Sequence, residues 1–164
     1  MNVLCIVAHP DDELGCGGTL ARLKEEGHNV RVRYFTDGVG ARSAEQYYLA
    51  AKDARAIEAV RSTHALGLFE GITANVEQMY GDFRDNEMDR ASLLSVARSV
   101  EDMTANTEPD TIYTHTPHDL NVDHRITCQA VLTATRPTPG QTVKAVYGFE
   151  VASSTEWAFG SPGF

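Results

Sequence analysis

The apolar run Val3-Leu4-Cys5-Ile6-Val7 breaks off into Ala8-His9-Pro10-Asp11-Asp12-Glu13, which sets an imidazole and three carboxylates at the end of one short segment. A run this short, rich in β-branched residues and without polar alternation, is the kind buried on both faces of a parallel sheet. Carboxylates crowded at the end of a buried strand need a counter-charge, because a desolvated anion without a partner is strongly disfavoured. The stretch therefore asks for a layered fold and for a positive partner.

The rest of the chain alternates in the same sense. Residues 19–27 have helical composition and a terminal glycine, and 29–36 return to strand alternation, which makes a βαβ unit whose right-handed crossover leaves 9–13 at the carboxyl end of the first strand. Open α/β sheets bind ligands there. A long Ala-, Glu- and Arg-rich helix is predicted over 43–66, ending at Gly67, and a second over about 90–105 with Leu93, Leu94, Val96, Ala97 and Val100 on one side. Pro109 precedes a strand over 111–114, the loop 115–124 leads into a helix through Leu132, and 143–149 form a last strand. The expected fold class is α/β, a three-layer Rossmann-like sandwich around a mostly parallel sheet.

At 164 residues the chain suits one domain burying roughly 70% of its unfolded surface. Fourteen Lys and Arg against 23 Asp and Glu give a formal net charge of -9, which repels a nucleic-acid backbone. Nucleic acid is therefore not an expected partner. The amino-terminal apolar run is too short for a membrane span or a secretory signal, so the expected location is cytoplasmic. Cys5, Cys16 and Cys128 are widely spaced and odd in number, so they read as reduced packing residues.

Two clusters carry chemistry. His9, Asp11, Asp12 and Glu13 follow the first strand; His115, His118, Asp119, Asp123 and His124 follow the strand at 111–114. In a parallel sheet both meet on one edge, and the mixture of imidazole and carboxylate is the donor set that Zn²⁺ prefers. Two histidines and one carboxylate suit a catalytic zinc, a further carboxylate can act as base, and another can orient a ligating imidazole. The same donors bind Fe²⁺.

"AHPDDE", followed by "GCGGTLARL" and by D-x-N-x-D-H after a later strand, resembles the PIG-L/LmbE-type zinc-dependent de-N-acetylases, which remove acetyl groups from N-acetylated sugars. The resemblance extends along most of the chain. Carried over by position, it implies that His9, Asp12 and His124 hold the metal, that Asp11 is the general base and that Asp123 is a supporting acid. Arg55, with Glu58, is similar to the family's substrate-facing arginine, and Asp85 to the acid that holds a sugar hydroxyl. His118 and Asn121 complete the expected substrate-binding set. Many members carry a histidine where this chain has Asn121, which donates a hydrogen bond but cannot shuttle a proton; protonation of the leaving amine is left to Asp11, His115 or His118.

"GFEVASSTEW", 148–157, resembles a bacterial subfamily whose chains continue further. The expectation is thus a single metallohydrolase domain over 1–164 lacking the family's carboxyl-terminal part, with room for a homo-oligomer. The implied reaction is hydrolysis of the acetamide of an N-acetylhexosamine-containing small molecule. Three alternatives compete with it. A metal-dependent phosphoesterase would use similar ligands around two ions. A metal- and sugar-binding protein without turnover would keep the loop alone. A dinucleotide-binding fingerprint is suggested by Gly15-Cys16-Gly17-Gly18 with Asp37 beyond, but three acids would oppose a pyrophosphate and Leu20 replaces the third glycine.

Overall fold

The computed structural model describes residues 1–38, 83–152 and 154–158. The helix predicted over 43–66, and with it Arg55 and Glu58, lies outside the described residues. Four strands, β1 (Asn2–Val7), β2 (Asn29–Tyr34), β3 (Thr111–His115) and β4 (Ala145–Phe149), form a sheet in the order β2-β1-β3-β4 with every pairing parallel. The fold is the expected α/β class, and its described sheet is wholly parallel.

The lack of polar alternation in β1 follows from its central place. Val3, Cys5 and Val7 join Leu20 of helix α1 (Gly17–Glu25) and Val30, Val32 and Tyr34 of β2 in one core. Leu4 and Ile6 point the other way, to Val96 and Val100 of α2 (Leu93–Thr107), Ala130 and Val131 of α3 (Val122–Ala134) and Ile112 of β3. Since successive side chains of a strand face opposite sides, a strand with helices on both faces must be apolar throughout. Burying one such side chain contributes about 1.5–3 kcal/mol.

Local chemistry sets the helix ends. Gly27 takes φ 83° just past α1, the left-handed conformation that a side chain resists. The Ser92 hydroxyl accepts the Ser95 amide at 3.1 Å to start α2, and Asn121 Oδ1 accepts the Asp123 amide at 2.8 Å to start α3. The three cysteines are free and buried, as packing residues would be. No helix among the described residues is long and apolar enough to cross a membrane.

Candidate metal centre

The parallel sheet brings the carboxyl ends of β1 and β3 side by side, so the loops that follow them share one edge. His9 leaves β1 directly. The turn behind it is tight: the Asp12 amide reaches the His9 carbonyl at 3.3 Å, and Asp12 Oδ2 accepts the His9 amide at 2.8 Å. Asp11, between them, is forced to φ 98°, a conformation that costs a non-glycine residue about 1–3 kcal/mol. His124 comes from the first turn of α3, pointed at the same place from the β3 side.

Three candidate ligand residues converge. His9 Nδ1 is 3.1 Å from His124 Nε2 and 3.3 Å from Asp12 Oδ2, and His124 Nε2 is 3.2 Å from Asp12 Oδ1. A tetrahedral ion at about 2.0–2.1 Å from each donor sets its ligands about 3.3 Å apart. The three separations, two of them to different oxygens of Asp12, are close to that edge. All three residues are buried, and their donor chemistry is that of a zinc or iron site.

The second nitrogen of each imidazole is held by an acid. His9 Nε2 lies 3.1 Å from Asp123 Oδ2 and 3.0 Å from Asp85 Oδ1, and His124 Nδ1 lies 3.1 Å from Asp119 Oδ2. Such carboxylate–histidine pairs fix ring orientation and tautomer at metal centres. Asp123, which the sequence places beside the third candidate ligand, thus acts across space on the first one. It also accepts the amides of Asn86 at 2.7 Å and Met88 at 3.1 Å, which tie it to the segment before α2. His9 Nε2, Asp85 and Asp123 form a second triad of potential ligands. Those backbone bonds already occupy both oxygens of Asp123, so that side of the ring reads as the support. The two triads share an imidazole and no carboxylate, unlike the acid-bridged ion pairs of a phosphoesterase.

Electrostatics agree with a site shaped for a cation. Burial works against charge on His9, but hydrogen bonds to Asp12, Asp123 and Asp85 outweigh it and raise its pKa to about 12. Burial likewise opposes the anion at Asp12, yet His115, His124 and His9 hold its carboxyl well below the usual carboxylate range. Asp119 is brought down to about 2, against its burial, by bonds from His124, Thr155 and the Asn121 amide.

The remaining candidates fall around this centre. His115, fully buried, stacks on His124 with centroids 3.9 Å apart and an interplanar angle of 5°, and its Nε2 accepts the Ala8 amide at 3.0 Å. The same nitrogen lies 3.4 Å from Asp12 Oδ2, so the ring sits as a spacer between the two strand ends. His118 is exposed on the loop. Asn121 spends its oxygen on the helix cap, while its amide group makes only a 3.4 Å contact with Asn86 Oδ1. Asp85 meets His9 and accepts from Asn86 Nδ2 at 2.7 Å. Gly15 abuts the end of β4: a β-carbon there would lie 2.4 Å from the Glu150 carbonyl oxygen and 2.8 Å from Phe149. Close packing, rather than a phosphate, explains that glycine. Sequence reasoning left Asp119 without a role and overlooked Ser154 and Thr155, which bond to it; the paired hydroxyls just after the last strand were the available signal.

Known proteins resemble this chain in sequence and in fold. A relative from Escherichia coli (strain K12), described as the uncharacterized deacetylase YaiS, is 29% identical over 159 residues, 93% of this chain and 75% of that protein. The N,N'-diacetylchitobiose deacetylase of Pyrococcus horikoshii superposes with a TM-score of 0.69 at 25% identity, over 85% of this chain and 52% of that one. This chain thus spans about half the length of that deacetylase. The 4-carboxy-2-hydroxymuconate hydratase GalB from Pseudomonas putida KT2440 shares the fold, with a TM-score of 0.67 at 21% identity over 92% of this chain and 66% of that one. Residues 4–135 match the family model described as GlcNAc-PI de-N-acetylase, PIG-L, and by that match the chain belongs to the PIG-L family.

Proposed function

We propose that the protein is a zinc-dependent hydrolase that removes the N-acetyl group from an N-acetylhexosamine-containing sugar, nucleotide sugar or glycoconjugate. The observation that carries the reading is the convergence of His9, Asp12 and His124, whose nitrogens lie 3.1 Å apart and each 3.2 or 3.3 Å from an Asp12 oxygen, separations that suit one tetrahedral ion. When bound there, Zn²⁺ supplies Lewis acidity for the attacking water and the amide carbonyl, and Fe²⁺ can take the same donors.

The protein's own groups do the rest. Asp11, exposed on its strained turn one residue before Asp12, takes the proton of the attacking water as general base and returns it to the leaving amine. This double duty suits a chain in which Asn121 stands where a histidine would carry protons. Asp123 keeps His9 in place through Nε2. The spare amide hydrogens of Asn121 and the exposed ring of His118 serve substrate hydroxyls or the developing oxyanion; the same is proposed for Arg55, and for Asp85 in addition to its bond with His9.

The test is release of acetate. Protein stripped of metal and reloaded with zinc is incubated with a panel of N-acetylated sugars and nucleotide sugars, and products are weighed by mass spectrometry. A loss of one acetyl group that depends on zinc and disappears in Asp11→Asn is expected. Zinc and sugar uptake without any acetate would instead mark a binding protein.

A further inference from the structure

Beyond the family-matched residues, the chain comes back to the metal centre. After β4 a short turn brings Ser154 and Thr155 against Asp119: Thr155 Oγ1 lies 2.6 Å and Ser154 Oγ 2.9 Å from Asp119 Oδ2, and Ser154 Oγ is also 3.3 Å from His124 Nδ1. The direction of the stronger bond is fixed. Thr155 Oγ1 accepts the Val151 amide at 2.8 Å, so its single proton goes to the carboxylate. The other oxygen, Asp119 Oδ1, accepts the Asn121 amide at 2.8 Å. Asp119 and Thr155 are both buried, where a donor taken away is not replaced by water.

We propose that Ser154 and Thr155 are positioning residues of the metal centre: their hydroxyls lock Asp119, and Asp119 in turn holds the Nδ1–H of His124, so that Nε2 faces Asp12 and His9. Without the hydroxyls, Asp119 is free to rotate away and the His124 ring to turn its Nε2 out of line with Asp12 and His9. The proposal rests on the zinc reading above and extends the site to a segment that the family match does not include. Loss of such an outer partner typically costs 10–100-fold in metal affinity.

The experiment measures zinc affinity of the full chain by competition with a chromophoric chelator at fixed pH, alongside imidazole nitrogen NMR of the metal-free protein. Thr155→Val should weaken zinc about 10–100-fold and move the His124 ring signals from their wild-type positions, and Thr155→Ser should restore both. Far-UV circular dichroism checks that each variant is folded. If Thr155→Val does not fold, Ser154→Ala carries the same comparison, with a smaller loss expected for the longer bond. Variants that match wild-type affinity and leave the ring signals unmoved overturn the clamp. Wild-type protein that takes up no zinc overturns the metal reading itself, so the two failures are told apart.

Discussion

Asp11 combines a chemical demand with a conformational one. Its φ of 98° suits glycine, so Asp11→Gly should relieve backbone strain while removing the proposed base. The expected outcome is a thermal midpoint raised by about 2–4 °C, from roughly 1 kcal/mol of added stability, with turnover lowered about 10²–10⁴-fold. Asp11→Ala keeps the β-carbon and should show the same loss of rate without the gain; an Asp11→Gly protein with near-normal turnover would remove Asp11 from the mechanism. His9 supports a second prediction. Its raised pKa, about 12, means that the metal-free protein holds a proton there at neutral pH. Zinc must displace it, so affinity should rise about tenfold per pH unit between about pH 6 and 8, and calorimetry in buffers of different ionisation enthalpy should count at least one proton released. In the metal-free protein the sign is opposite: the stabilisation from charged His9 is complete below its unfolded pKa of about 6.5 and fades as pH rises towards 12. The two clusters were legible because each follows a strand, and the choice of His9, Asp12 and His124 within them came from the family resemblance. The orienting contacts were not: nothing in one dimension says that Asp123 reaches His9 or that His115 turns its nitrogen to the Ala8 amide.

Helices and strands were legible for a plain reason: each carries one periodicity and one recognisable end. Unbroken β-branched runs marked the buried strand, and Gly27 marked the end of α1. What periodicity could not reveal is how elements abut. Gly15 looked like part of a cofactor fingerprint; its reason is the end of β4, which passes too close for a side chain. Gly15→Ala should therefore drive the turn that carries Asp12 away from Phe149 and Glu150, costing about 1–3 kcal/mol in urea denaturation and loosening zinc together with stability. An alanine variant as stable as wild type would show that the contact yields easily. Gly18→Ala is the control, because a β-carbon there meets nothing within 4 Å.

Taken whole, the molecule hangs its site on its middle strand. β1 has a partner on each edge and apolar packing on each face, and it ends at the first candidate ligand. Regions whose opening exposes little core open easily, whereas a central strand opens only with the core. The hydrogen bond from the Ala8 amide to His115 Nε2 lies at that junction, buried. Its amide deuterium uptake should accordingly be among the slowest in the chain, at a protection matching global unfolding, and should stay slow after zinc is stripped with chelator. Fast uptake at Ala8 in stripped protein would mean that the ion organises the strand end. If it stays slow, the cradle is rigid before anything enters it, and a metal ion arriving from solution spends none of its binding energy on building its own seat.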